Sequence, residues 1–242
     1  MKVLYKKELS VFFSTIIGPL IIGLFLLING FLLWNNVSKF NILDNAYASM
    51  DVFFTISPLI FLFFIPAVSM RTFSEEYNSG TIETLATKPI TAFQIVVSKF
   101  LAILTLIFIS IFPTSLYIIT IYFLGETVGN IDLAGVTGSY LGLFLLSSIF
   151  ASICVFASSL SNNQIVSFVL GIIIATVFYF GFDLLSESLL LQPINVLLQK
   201  MGISYHYNIM SRGLIRLSDV VYFLSISFIF LKLSELVILS KK

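Results

Sequence analysis

Residues 133–182 read LAGVTGSYLGLFLLSSIFASICVFASSLSNNQIVSFVLGIIIATVFYFGF, fifty consecutive positions without one Asp, Glu, Lys or Arg. An α-helix needs about twenty apolar residues to cross roughly 30 Å of hydrocarbon, so this stretch is long enough for two crossings. The turn between them is visible as a polar knot, Ser158-Ser159-Leu160-Ser161-Asn162-Asn163-Gln164. Spans over about Thr137–Ser158 and Ile165–Phe182 follow. No water-soluble domain tolerates two such segments back to back, and that fixes the fold class as a bundle of membrane helices.

Working outward, three more uncharged runs precede this pair, at Thr15–Trp34, Val52–Met70 and Phe100–Leu124. A sixth, Val220–Leu239, is interrupted by Lys232 and Glu235, three apart on one helix face. The expectation is an all-α integral membrane protein with six transmembrane helices in one domain over residues 1–242. Composition agrees: 58% of residues are hydrophobic and 10% charged, where soluble domains carry about 25% charge. Mean hydropathy is +1.06. Lys232 and Glu235 can pair and reach the interface together, or they can form an intramembrane ion or proton site.

Six crossings put both termini on one side. Nine of the thirteen Lys and Arg then fall on the terminal side, and Lys39, Lys200, Arg212 and Arg216 fall opposite. The positive-inside rule makes the terminal side cytoplasmic.

The segments between spans carry the function. Ahead of the first span, Tyr5, Leu9 and Phe12 lie at i, i+4 and i+7, with Lys2, Lys6 and Ser10 on the neighbouring arc. This predicts a short interfacial helix, or else a plain extension of the first span. The loop 71–99 is the most patterned polar stretch and reads as two helices with punctuation. Gly80 breaks the chain, Thr81 can cap a new helix, Glu83 suits its positive N-terminal end, and Ile82 and Leu85 share an apolar face. Pro89 stops it. Thr91-Ala92-Phe93-Gln94 then forms a capping box, with Ile90 and Ile95 placed to staple it. A short capped helix here can dock in a groove of another protein or lie on lipid. On the opposite side, residues 183–219 contain Leu189-Leu190-Leu191 and Ile194 to Leu198, apolar but too short to cross, which predicts re-entrant or interfacial helices before the sixth span.

Several chemistries are excluded. There is no phosphate-binding loop, and no segment is long enough to fold a nucleotide-binding domain. His206 is the only histidine and Cys154 the only cysteine, so no metal site is predicted, and Cys154 reads as a packing residue. The spans offer no nucleophile with a base, so the chain is not expected to be an enzyme. A net charge of +1 gives no attraction to nucleic acid.

The stretch Phe73-Ser74-Glu75-Glu76-Tyr77-Asn78-Ser79-Gly80-Thr81-Ile82-Glu83-Thr84-Leu85, followed by Lys88-Pro89-Ile90, is similar to the Glu-Glu-x-x-x-Gly-Thr-x-Glu-x-Leu…Pro pattern of the ABC-2 type membrane subunits of ATP-binding-cassette transporters. The order of features also resembles that family. Over most of its length the chain resembles in particular the gliding-motility permeases of Bacteroidetes, in stretches such as Leu26-Leu27-Ile28-Asn29-Gly30, Gly129-Asn130-Ile131-Asp132-Leu133 and Tyr205-His206-Tyr207. The resemblance implies an exporter permease in a bacterial cytoplasmic (inner) membrane. Gly80, Thr81, Ile82, Glu83 and Leu85 would form a coupling helix, with Glu75 and Glu76 just before it. Implied partners are a cytoplasmic ABC ATPase subunit, which would hold ATP and Mg, a second permease subunit (the same chain or a paralogue) and a larger membrane accessory subunit. The chain itself would bind no cofactor. Two other readings stay open: a secondary transporter or channel, and a membrane scaffold for a motility or secretion machine.

Overall fold

The computed structural model describes residues 1–35, 40–42, 48–81, 90–125, 127–187 and 194–241. Among these residues the chain is wholly helical. In chain order the helices are α1 (Lys2–Ser14), α2 (Ile17–Trp34), α3 (Asp51–Ser69), α4 (Arg71–Asn78), α5 (Ala92–Ile111), α6 (Ser115–Leu124), α7 (Leu133–Leu160), α8 (Gln164–Ser186), α9 (Asn195–Met201), α10 (Ile203–Met210) and α11 (Leu217–Ser240). A 3-10 turn, Phe112–Thr114, joins α5 to α6 at Pro113. Five helices or near-continuous pairs (α3–α4, α5–α6, α7, α8 and α11) are long and apolar enough to cross a membrane. The pair α1 and α2, bent by 67°, supplies a sixth if taken as one span.

α7 is the axis of the bundle. It packs against α3, α5, α8 and α11 and is the most buried of the spans, whereas α8 is the least. Its buried faces mix large apolar side chains such as Leu146 and Phe150 with many small ones. Ser147, Ser148, Ser152 and Ser159 are buried, and each returns its hydroxyl to a carbonyl three residues back in the same helix, so none is left unsatisfied in an apolar setting. Cys154 lies in this packed layer, where a Cβ on Gly171 would meet its Sγ at 3.3 Å. Outward faces are apolar, with Leu20, Leu24 and Phe31 on α2 and Ile165, Val169, Ile173 and Val177 on α8. That is the surface lipid requires.

Contacts define two ends. Residues from both ends of the sequence meet at a terminal face: Lys7 reaches Glu76, and Lys241 reaches the last carbonyls of α7. At the far face the hairpin α9–α10 turns back into the bundle. Tyr207 is 1% exposed and donates its hydroxyl to the Phe54 carbonyl at 2.5 Å, and Ser139 of α7 donates to the Ser211 carbonyl at 2.9 Å. A Cβ on Gly142 would stand 2.7 Å from that of Met210, so glycine is what lets α10 approach α7 so closely.

Several boundaries depart from the sequence expectation. The third span begins at Ala92, not Phe100, which takes Lys99 inside the helix. The capping box is present: Thr91 Oγ1 accepts from the Gln94 amide, and Gln94 Oε1 accepts from the Thr91 amide. The loop 71–99 therefore starts as α4, nearly continuous with α3, and ends as the first two turns of α5. α8 runs four residues past Phe182, to Ser186, so the outer segment is shorter than 183–219. The residues Leu189-Leu190-Leu191 lie outside the described residues. α1 also differs. Its buried stripe is Leu4, Glu8 and Phe12, and it packs on α5, with Tyr5 hydrogen-bonded to Thr105 at 2.8 Å. Protein, and not only the lipid boundary, receives that face.

Candidate functional site

The second span ends in a kinked lever. Pro58 and Pro66 lie inside α3, and at Met70 the helix breaks and restarts as α4. Backbone groups freed at a break must find partners in an apolar setting. Ser158 of α7 supplies them. Its Oγ accepts from the amides of Phe73 and Ser74 at 3.0 and 3.3 Å and donates to the Met70 carbonyl at 3.1 Å. One buried hydroxyl on the axial helix thus serves both sides of the kink.

Charge fixes the other faces of α4. Lys99, 1% exposed, places Nζ 2.9 Å from Glu76 Oε1 and 3.3 Å from Glu8 Oε1, and donates to the Thr72 carbonyl at 2.6 Å. It also lies 5.0 Å from the centre of the Phe73 ring. Lys7, half exposed, stands 3.4 Å from Glu76 and 3.5 Å from Glu8. Two cations and two carboxylates therefore balance where α1, α4 and α5 meet, around a cleft of about 210 Å³ that also borders Arg71, Thr81 and Ser79. Removing water from four charges is tolerable only because each has an opposite neighbour. At the chain's end, Lys241 caps α7 through the Ser159 and Leu160 carbonyls and lies 4.2 Å over the Tyr77 ring. Burial lowers the pKa of this lysine. Four elements, α1, α5, α7 and the residue after α11, thus hold one eight-residue helix.

The residues singled out in the sequence divide around this joint. Glu76 is in it. Glu75 is not: it is a surface residue bonded at 2.8 and 2.9 Å to Arg71, one turn back on the same helix. Gly80 takes φ +68, a left-handed conformation that ends α4 and suits glycine. The Thr81 hydroxyl lies 3.0 Å from that of Ser79 and bonds backward to the Glu76 carbonyl at 3.4 Å. Ile82, Glu83 and Leu85 lie outside the described residues, together with the rest of the expected coupling helix. Lys232 and Glu235 are elsewhere, on α11. They pair at 2.7 Å, with Lys232 46% exposed and its Nζ 4.1 Å over the ring of Phe93, at the start of α5.

Glu8, Lys99 and Ser158 carry the joint, and sequence reasoning passed over all three. The available signal was weak. Glu8 interrupts the Leu4–Phe12 stripe at helical spacing, and Lys99 interrupts the run from Ile95 to Ile103.

At the far face, a cleft of about 530 Å³ opens between α3, α7 and α10, edged by Asp51, Asp132, Asn208 and Arg212. Asp132 is committed there as the cap of α7, accepting from the Gly135 amide at 3.0 Å.

No curated protein matches the chain at a significant level. The family model described as ABC-2 family transporter protein matches residues 7–236. That match takes in Glu8, Glu76, Lys99 and Ser158, the hairpin and all but the last turn of the final span, and the chain belongs to the ABC-2 transporter family, as a multi-pass membrane permease component rather than a catalyst.

Proposed function

We propose that this permease exports its substrate with energy drawn from a separate ATPase that docks on the loop carried by α4. The joint is the observation that carries the reading. A helix of eight residues that leads directly into residues 79–91 is tied by ion pairs to α1 and α5 and by Ser158 to α7. A push on that loop would reach three elements of the bundle without passing through a flexible link. In this reading ATP and Mg are held by the partner, the terminal face lies in the cytoplasm, as the distribution of Lys and Arg favours, and Ile82, Glu83 and Leu85 meet the partner's groove. A second permease subunit, identical or paralogous, completes the pathway. The resemblance to gliding-motility permeases supports a place in such a system in a bacterial inner membrane, beside a larger accessory subunit.

Affinity purification of tagged protein from its native membrane tests this. The expected result is copurification of an ATPase whose turnover in liposomes depends on the permease and is lost with Leu85→Asp or Glu83→Arg. Absence of any ATPase, together with normal function of both variants, would reject the coupling. Loss of function in Lys232→Ala alone would favour an ion-driven transporter instead.

A further inference from the structure

The far-face hairpin is held by an arrangement in which one imidazole meets two oxygen atoms. α9 ends at Met201, and its last carbonyls are satisfied by side chains from two other helices. Tyr222 of α11 donates its hydroxyl to the Met201 carbonyl at 2.6 Å, and His206 of α10 places Nε2 2.8 Å from the Lys200 carbonyl. The two rings stack with centroids 3.9 Å apart. The other ring nitrogen, Nδ1, lies 2.7 Å from Asp219 Oδ1. Asp219 is 2% exposed, and its Oδ2 has no hydrogen-bond partner among the described residues.

Both nitrogens of His206 face oxygen acceptors. A neutral imidazole has a single N–H, so one nitrogen would then turn its lone pair on a carbonyl or a carboxylate. One additional proton removes the conflict, whether it rests on the ring or is shared with Asp219. Among the described residues, Asp219 has His206 as its only ion-pair partner, while the nearby cations Lys200 and Arg216 meet the pair through their backbone carbonyls, at the His206 ring and the Asp219 amide. Tyr205 meets the ring edge-on at 5.4 Å, Asp183 of α8 is engaged by Ser204 at 2.5 Å, and α7 presents Ser139 to the Ser211 carbonyl.

We propose that His206 and Asp219 form a proton-held latch that fixes the α9–α10 hairpin to the head of α11, and that losing the shared proton loosens the hairpin. The sign is set by linkage: the closed hairpin binds one proton more than the open one, so closure is favoured at low pH and weakens as pH rises through the titration of the pair. Calling the latch a sensor of external pH rests on the orientation proposed above. The latch itself does not.

The chain has one histidine, so ring-labelled histidine in protein purified on a histidine-free tag and placed in lipid nanodiscs gives one imidazole signal set. The expected result is that the wild-type ring holds both protons to a higher pH than the ring of Asp219→Asn does. In the wild type, amide protection over residues 203–210, corrected for intrinsic exchange, falls about tenfold as the ring titrates. In His206→Gln it does not respond to pH. Coincident titrations in wild type and Asp219→Asn overturn the proposal, as does protection that ignores pH in the wild type. Should Asp219→Asn fail to fold, His206→Gln decides: a pH response equal to that of the wild type overturns the latch. None of these readouts needs an ATPase, so the coupling reading can fail while the latch stands.

Discussion

At the terminal face the buried charge is a lysine between two carboxylates, while at the far face it is a carboxylate against an imidazole. Both tie a short helix to the bundle. The lysine is at the base of a span with 1% of its surface exposed, and two carboxylates and a backbone carbonyl surround its amine, so that joint is closed to solvent. The imidazole is the one side-chain type whose ordinary titration falls within physiological pH, so the far-face contact can be opened by solvent conditions alone. The lesson is that one bundle can tie a short helix with a lysine and two buried carboxylates at one face, and with an imidazole and a single buried carboxylate at the other.

The largest effect expected follows from breaking the terminal-face joint. Lys99→Met leaves Glu8 and Glu76 facing each other with only half-exposed Lys7 nearby. The loss of one partner from a buried ionic group costs about 3–5 kcal/mol. A pronounced drop in thermal stability of the detergent-solubilised protein is the expected readout. The triple variant Lys99→Met with Glu8→Gln and Glu76→Gln should recover most of the loss, because it removes the stranded charges as well. If the single variant is as stable as wild type, the cluster is not a joint.

Next in size is Gly142→Ala, at the seam between α7 and the hairpin. The added methyl would come within 2.7 Å of the Met210 Cβ, so α10 must shift, at a cost of about 1–3 kcal/mol. The far-face hairpin should lose hydrogen-exchange protection while α4 keeps its own. Loosening of both ends together would mean that the two regions are not separable.

Ser158→Ala falls in the lower part of the same range and lies at the opposite face. It takes the shared hydroxyl from the Phe73 and Ser74 amides at nearly unchanged volume, while the Met70 carbonyl keeps the Ser74 hydroxyl as a donor, a loss of about 1 kcal/mol. Faster exchange confined to the start of α4 is the expected signature. Equal exchange across α4 in variant and wild type would show that the kink satisfies itself.

Much of this architecture was legible in the sequence, because lipid imposes length and apolarity on each span separately. The fifty uncharged residues at 133–182, the capping box at Thr91 and Gln94, and a short helix taking in most of Ile194 to Leu198 are all local signals. The joint was not legible. Glu8 and Lys99 are 91 positions apart, and each alone has an ordinary meaning, a surface acid beside Lys6 and Lys7 and a cation at the start of a span. Only the packing of α1 on α5 makes them partners. Ser158 illustrates the same point: in the sequence it opens the polar turn Ser158–Gln164, whereas in the fold it is a fully buried contact in the last turn of the axial helix. His206 sat between these cases, since its isolation from other metal-ligating residues argued against a metal site but gave no sign of its two oxygen partners.

The smallest effect is expected at the remaining charged pair, and it separates buried from exposed charge directly. Lys232 and Glu235 are as close, at 2.7 Å, as any ion pair among the described residues. Yet Lys232 is 46% exposed, and its pairing is three residues along one helix. Such pairs contribute about 0.2–1 kcal/mol, and the cation held over the Phe93 ring adds about 0.5–1 kcal/mol at an exposed site. Lys232→Ala should therefore change thermal stability by only a small fraction of the Lys99→Met effect. It should also leave permease-dependent ATPase turnover within about twofold of wild type, a margin of roughly 0.4 kcal/mol. Comparable losses in the two variants would mean that distance, and not burial, sets the worth of charge in this bundle.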